Sequence, residues 1–543
     1  MHRTTSARAR FCLWLSLGIV GCAPPHAAKP YPQAIAPEQA SRPIAGATTS
    51  TGGTGSVSYF GTEIDLQPYL AGFPYGNFDP DLRNGKMFFF EEGERYTLKM
   101  LDLEAAKDGP YDLAGAPAIS DVDWSARSLW GIHLHAPSNT LWLHADARND
   151  EVMNLWTLSL ESGELRQVTQ HDYIYGFGFS EDESTIAYLP RYGKKAPFEK
   201  TCLNVLDVKT QRVREVVCDS PKLKFTWATP RFSPDGNEVF FDAQVEGDRN
   251  RVQLVAVDLT KPNPKVRVLT NPKRSRNSPR ALRGWLGDTM LFLANDDGYN
   301  NLYRYNRKTS KIAQLTRFKE DITSAQITNA GIFAVHRTPR GSTLVIVEPT
   351  TGKVLGELAR PGTADVLDAD KGRVLWSQRA PDIFTEINLA HLDPGAAGQA
   401  PGLQNHRVVS LPDELSKKIV QCRAEAVTIP TFDRDPATGK TRELHAFVLH
   451  PTQPRQNPEQ RLALITAFYG GRNRYSSFDN IMCAAGLTIV SPAVRGSSGF
   501  GKQFYGLNDK DLGGDEIVDL HAVARWVEQE FALKPHQIGV YGG

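Results

Sequence analysis

Arg231-Phe-Ser-Pro-Asp-Gly-Asn-Glu-Val-Phe-Phe241 is the stretch that decides the fold. It reads as the end of one strand, a tight turn over Ser-Pro-Asp-Gly, and the start of a second, apolar strand. Proline presets φ at the second turn position and glycine accepts a positive φ, so the residue types suit the turn. Phe179-Ser-Glu-Asp-Glu-Ser-Thr-Ile-Ala-Tyr188 repeats the design with weaker turn residues. Outward from these two units, apolar strands recur at 86–90, 140–144, 185–189, 238–241, 290–294, 331–335 and 373–376. Their spacing of roughly 40–55 residues is the period of a four-stranded propeller blade. Partner strands follow at 155–160, 252–257 and 302–305, and three units close alike on Val168-Thr169, Leu269-Thr270 and Leu315-Thr316. Long helical periodicity is missing throughout. Residues 57–415 therefore read as an all-β propeller of about seven blades. Propellers host binding, scaffolding and catalysis alike, so this region leaves function open.

The flanks add location and partners. The 62 basic and 61 acidic residues nearly cancel, which argues against nucleic acid as a partner. Arg3, Arg8 and Arg10 precede an apolar run at 11–20 that is too short to span a bilayer and suits a signal peptide. It ends in Ile19-Val20-Gly21-Cys22, which resembles the bacterial lipobox. That resemblance implies a lipoprotein signal over 1–22, lipidation of Cys22 and a membrane anchor through the lipid. Ala23-Pro24, with no aspartate, implies an outer-membrane lipoprotein facing the periplasm; the alternative is an ordinary secretory signal. Residues 23–56, rich in Ala, Pro, Thr and Gly, read as a flexible linker. Cys202 and Cys218 each lie eight residues from Thr210, at the centre of a hairpin over 203–208 and 212–217. A symmetric hairpin sets them opposite each other, close enough for a disulfide, the alternative being two buried thiols. Cys422 and Cys483 offer no such geometric argument. No His/Cys cluster has metal-ligand spacing, so neither metal nor cofactor is expected.

Beyond residue 415 the pattern changes. Segments 444–449, 462–467, 487–490 and 538–541 read as strands, the second nearly all apolar, as when both faces of a parallel sheet are covered. Before the last lies a helix with Asp515 as N-cap and Ile517, Leu520, Ala524, Val527 and Phe531 on one face, ended by Lys534-Pro535. Strand, helix and strand make an open α/β sheet. The chain then runs Val540-Tyr541-Gly542-Gly543, which fills the first two positions of a G-x-S-x-G nucleophile elbow.

Here a resemblance becomes specific. Phe468-Tyr469-Gly470-Gly471 resembles the Tyr-Gly-Gly turn of the prolyl oligopeptidase family. Ala493-Val-Arg-Gly-Ser-Ser-Gly-Phe-Gly501 resembles that family's Asn-x-Arg-Gly-Gly/Ser-x-x-Tyr-Gly stretch, with Ala493 in place of the usual Asn. The Ser-Pro-Asp-Gly units resemble the repeats of that family's propeller and of TolB-type propellers. The resemblance implies a serine-type peptidase acting on short peptides, in which residues 416–543 form part of an α/β-hydrolase domain. Tyr469 matches the tyrosine that donates to the tetrahedral oxyanion, and Gly542 and Gly543 match the elbow, whose serine would come next. Arg495 is expected to brace the sheet end. Triad acid and histidine follow the serine in such folds, so His445, His450, His521 and His536 are not expected to serve. Gly496-Ser-Ser-Gly-Phe500 misses the elbow pattern at its fifth position. The sequence as given is thus expected to be truncated at the elbow and inactive by itself. The alternative is a non-enzymatic periplasmic lipoprotein whose propeller binds a peptide or protein, with a TolB-like assembly component as a third reading.

Overall fold

Every apolar run of the repeat becomes the second strand of a blade. These strands are Lys86–Glu92, Thr140–Ala145, Thr185–Tyr192, Glu238–Val245, Thr289–Ala294, Gly331–Thr338 and Arg373–Ala380. A computed structural model describes residues 56–59, 62–193, 200–225, 227–271, 280–338, 340–393, 402–436, 438–467, 469–471 and 473–542. The signal over 1–22, Cys22, the linker up to residue 55 and Gly543 lie outside the described residues. Each second strand pairs antiparallel with the strand before and the strand after it, and the result is seven separate sheets. The second and third strands of a blade are covered on both faces by the neighbouring blades, which is why they read as unbroken apolar runs: Val239, Phe240 and Phe241 are fully buried. The first and last blades meet through side chains, with Met87 and Phe89 packed among Leu375, Leu389 and Val408. Leu82 N donates to Asp368 Oδ2 across the same joint at 2.7 Å.

The sequence repeats have physical causes. Ser233 Oγ donates to Asp235 Oδ1 at 2.6 Å, and Gly236 takes the positive φ of +69° that the turn requires. Ser180 and Asp182 make the same bond, but there Glu183 occupies the left-handed position at φ +58°, a strain that glycine avoids. The three closing threonines act alike. Thr169, Thr270 and Thr316 each accept from a backbone N–H in the third strand of their blade (Leu155, Leu254, Leu302) at 2.9–3.0 Å. Each then donates to a buried amide oxygen, on Asn154, Gln253 or Asn301. Cys202 and Cys218 face each other directly across strands Lys200–Asp207 and Val213–Cys218, and their sulfurs are bonded.

The C-terminal layer is one sheet of five strands. In spatial order they are Cys422–Arg434, Thr441–Pro451, Thr488–Pro492, Ala463–Thr466 and Ile538–Tyr541. The first three run antiparallel and the last three parallel. A second disulfide, Cys422–Cys483, ties the first strand to helix Ser477–Ala484. Two boundaries need correction. The first hairpin, Ser56–Tyr59 with Thr62–Asp65, straddles the end of the expected linker and the start of the expected propeller, yet Ile64 packs on Cys422, Leu449 and Ile489 of the C-terminal sheet. The second is the long helix, which spans Asp515–Glu530 with Gly514 rather than Asp515 as N-cap. Its buried face carries Glu516, Asp519, Val523 and Val527, while Ile517 is exposed. Of the expected face, Val527 is buried and Leu520, Ala524 and Phe531 pack against the same core cluster; only Ile517 turns outward, and Glu516 and Asp519 take inward positions because their carboxylates have partners inside. No helix among the described residues is long and apolar enough to cross a membrane.

Candidate active site

The site grows from two neighbouring parallel strands. Ala463–Thr466 and Ile538–Tyr541 pair in register, Thr466 beside Tyr541, and Ala467 N donates to Tyr541 O at 2.8 Å. The turn bearing Tyr469 and the residue Gly542 therefore leave the same end of the sheet side by side. A Cβ on Gly542 would lie 3.0 Å from Ala467 O and 3.1 Å from Ala467 Cβ, so glycine is what this close passage of backbones admits. At Gly470 and Gly471 the chain takes φ of +89° and +58°, which is the conformational reason for a diglycine after the tyrosine.

Ser497 fixes this turn from below. It is fully buried, donates to Val494 O at 2.6 Å and accepts from Gly470 N at 2.7 Å. A serine so engaged is a brace and not a nucleophile. Arg495 braces the same loop: its Nε and Nη2 grip Asp519 at 2.8 and 2.7 Å, and it pairs with Asp433 and Asp515 at 3.0 and 3.1 Å. Asp519 also accepts from Arg495 N and from Thr431 Oγ1. Both charges are buried, and removing one partner of such a pair typically costs about 3–5 kcal/mol. These contacts explain the polar face of the helix.

Tyr469 stands half exposed. Its hydroxyl donates to Glu516 Oε1 at 3.2 Å and accepts from Asn508 Nδ2 at 3.1 Å. Burial, and then the Glu516 carboxylate, push its pKa above that of an ordinary tyrosine, so the hydroxyl keeps its proton at neutral pH and remains a donor. Glu516 is itself held by the N–H groups of Gly513 and Gly514. Sequence reasoning missed Glu516 and Asn508. A glutamate in the first turn of a helix reads as a favourable partner of the helix dipole, and nothing local announces its second partner.

None of the four histidines joins Tyr469. His445 stacks on Phe500 at 5.2 Å, His450 pairs with Glu425 at 2.9 Å, and His521 and His536 are exposed. Cys202, Cys218 and Glu215 are the grouping of potential metal-ligand atoms among the described residues, and both sulfurs are consumed in the disulfide.

The edge carrying Tyr469 faces the propeller. Thr363 Oγ1 donates to Asn473 Oδ1 at 2.7 Å, Gly501 N to Asp321 Oδ2 at 3.0 Å, and Lys502 N to Gly298 O at 2.7 Å. Loops on either side of the Tyr-Gly-Gly turn thus press on blades five to seven. The first strands of all seven blades line a central cavity of about 740 Å³.

Residues 474–543 match the sequence model of the prolyl oligopeptidase family. No curated protein matches the chain. Among solved structures, prolyl oligopeptidase B from Galerina marginata bound to a 25mer macrocyclization substrate superposes with a TM-score of 0.69. It is 11% identical over 86% of this chain and 68% of that one. A puromycin-hydrolyzing peptidase of Mycobacterium tuberculosis gives a TM-score of 0.65 at 13% identity, covering 86% of this chain and 73% of that one. A puromycin hydrolase gives 0.67 at 16% identity, covering 87% and 74%. At these identities the superpositions speak for the fold, a propeller followed by a hydrolase layer, while the sequence match covers the Arg495 loop, the long helix and the last strand and begins after Tyr469. Residues 474–543 thus match the prolyl oligopeptidase family, and the chain as a whole shares the fold of its solved members.

Proposed function

We propose that this chain is the propeller and the leading part of the hydrolase domain of a serine-type peptidase that acts on short peptides. The observation that carries the reading is the shared edge: the Tyr469 turn and Gly542 leave adjacent parallel strands together, on the side facing the propeller. In this reading the nucleophile is a serine encoded directly after Gly543. Its hydroxyl attacks the peptide carbonyl, and the oxygen that becomes negative receives the Tyr469 proton donor, released from Glu516. One such donor contributes about 10²–10³ in rate, because it meets charge that appears only in the transition state. Binding of long peptides by Galerina marginata prolyl oligopeptidase B supports a peptide as the ligand here.

The compartment proposed is the periplasm, with Cys22 lipidated and anchored in the outer membrane. Two disulfides, Cys202–Cys218 and Cys422–Cys483, support an oxidising environment. Determining the reading frame beyond codon 543 tests the catalytic reading. The expected continuation is Ser-x-Gly, with a product that takes up a fluorophosphonate probe and loses about 10²–10³ in kcat on Tyr469→Phe. A stop codon there, with no labelling, moves the conclusion to a peptide- or protein-binding propeller lipoprotein.

A further inference from the structure

Blade three hands the chain to blade four through a short crossing. Its outermost strand, Val213–Cys218, ends at Cys218, and the inner strand of the next blade begins at Leu223–Phe225. Between them the chain turns at Ser220 and Leu223, whose N–H groups donate to each other's carbonyls at 2.9 and 3.0 Å. A little further on, Trp227, Ala228 and Thr229 line the central cavity. The crossing thus joins an outer edge of the propeller to its channel wall.

The Cys202–Cys218 bridge clasps the near end of this crossing. From Leu206–Val213 to Asn204–Glu215 the hairpin is in regular register; it then slips by one residue at Val216 before Leu203–Val217 and Cys202–Cys218 pair. Past the slip, the strand end is held to its neighbour by those two pairs, by the bridge, and by Asp219 N donating to Thr201 O at 2.8 Å.

The molecule's two disulfides differ as chemical targets. Cys422 and Cys483 are both buried, in a cluster with Ile64, Leu449, Leu487 and Ile489. Cys218 is part-exposed on an edge strand, while Cys202 behind it is fully buried. Lys200 Nζ stands 3.6 Å from the Cys218 sulfur and 3.4 Å from the Glu215 carboxylate, with the Tyr192 ring 5.1 Å from the ammonium. Thiolates are the attacking and leaving species in disulfide exchange, and an adjacent ammonium stabilises them. A Glu215 oxygen lies within 4.8 Å of both sulfurs, and pairing with Lys200 offsets its repulsion of an incoming thiolate.

We propose that Cys202–Cys218 is a thiol-exchange site, opened by a dithiol with the help of Lys200, and that its opening loosens the crossing from blade three to blade four. One thiolate of the dithiol attacks Cys218 Sγ. A mixed disulfide forms there, the bond to Cys202 breaks, and Cys202 leaves as a thiolate that takes a proton from water. The second thiolate of the dithiol then attacks its own partner sulfur in the mixed disulfide and releases Cys218 beside Lys200. The dithiol gives up two electrons and two protons as it becomes a disulfide, and the two cysteines gain them.

The test treats the full chain with dithiothreitol over a concentration series, quenches with iodoacetamide and reads each cysteine by peptide mass. Cys202 and Cys218 are expected to open at dithiothreitol concentrations about tenfold below those that open Cys422 and Cys483. Lys200→Met should slow their opening about threefold. After this mild reduction, hydrogen exchange should rise across 216–225 and at 227–229, with Gly331–Thr338 of blade six unchanged. The comparison of the two disulfides needs no variant, so misfolding of a variant cannot mask the answer. Opening of both bridges together, earlier opening of Cys422–Cys483, or unchanged exchange at 216–229 overturns the proposal. An unchanged rate in Lys200→Met overturns the part given to the lysine.

Discussion

His144 shows how burial sets a protonation state. Its ring is buried at the channel wall and Nε2 donates to Ile174 O at 2.8 Å, so the neutral ring is satisfied as it stands. Burial holds its pKa down at about 4. His171, His336, His391 and His445 are lowered by burial in the same direction. The consequence for stability has a definite sign. Between about pH 6.5 and 4 the unfolded chain binds a proton at residue 144 that the folded chain refuses, so stability falls as pH falls. A depression of this size corresponds to roughly 3 kcal/mol. The melting temperature should therefore drop between pH 7.5 and 5, and His144→Gln, which keeps a donor for Ile174 O, should drop less. Equal slopes for the two proteins would refute the assignment. The sequence reading left these side chains without partners, because a burial that comes from the next blade has no local signature. Tyr469 was legible because its motif is local; Glu516 and Asn508 come to it from 47 and 39 residues away.

At the scale of elements, local chemistry again divides what could be read from what could not. The hairpin that opposes Cys202 and Cys218 is written in 17 consecutive residues, and the register pairs them as symmetry about the turn suggests. Cys422 and Cys483 are separated by 61 positions, and only the packing of helix Ser477–Ala484 on the sheet brings their Cα atoms to 5.7 Å. The longer loop also makes this the stronger constraint on the unfolded chain: chain-entropy arguments give about 4 kcal/mol, against about 3 kcal/mol for the shorter hairpin loop. Cys422→Ala with Cys483→Ala should cost the C-terminal layer about that amount. Hydrogen exchange would then rise across Thr441–Pro451 and Thr488–Pro492, while blade three keeps its protection. Uniform loss of protection over the whole molecule would show that the layer does not open on its own. The long helix teaches a related lesson. Apolar periodicity found Leu520, Ala524, Val527 and Phe531 but also took Ile517 inward, where the buried places belong to Glu516 and Asp519, whose partners Tyr469 and Arg495 lie in other loops.

At the scale of the whole molecule, the blades were legible because a repeat averages over its own irregularities: seven second strands at a steady interval outweigh any weak turn. The hairpin Ser56–Tyr59 and Thr62–Asp65 was not, because it precedes the propeller in sequence and packs on the far domain. The two layers also differ in how they treat sheet edges. Outer strands of the blades are short or charged, as in Val213–Cys218 with Arg214 and Glu215, Lys311–Gln314, and Gly402–Val409 with His406 and Arg407. Such residues discourage pairing with another chain. In the C-terminal sheet, Ile538–Tyr541 pairs only with Ala463–Thr466 among the described residues, and it carries Val540 at 60% exposure with no charge in the strand. An apolar edge strand is a template for a second strand. The polypeptide 1–543 should therefore self-associate as its concentration rises, through this edge and not through the propeller. Val540→Lys places a charge in the middle of the strand and should shift the association constant down by about tenfold or more, a change of roughly 1.4 kcal/mol. Sedimentation velocity over a concentration series reads this directly. Unchanged association in the lysine variant would mean that the contact lies elsewhere, and the same variant in a product extended beyond residue 543 should have little effect if following residues cover the strand.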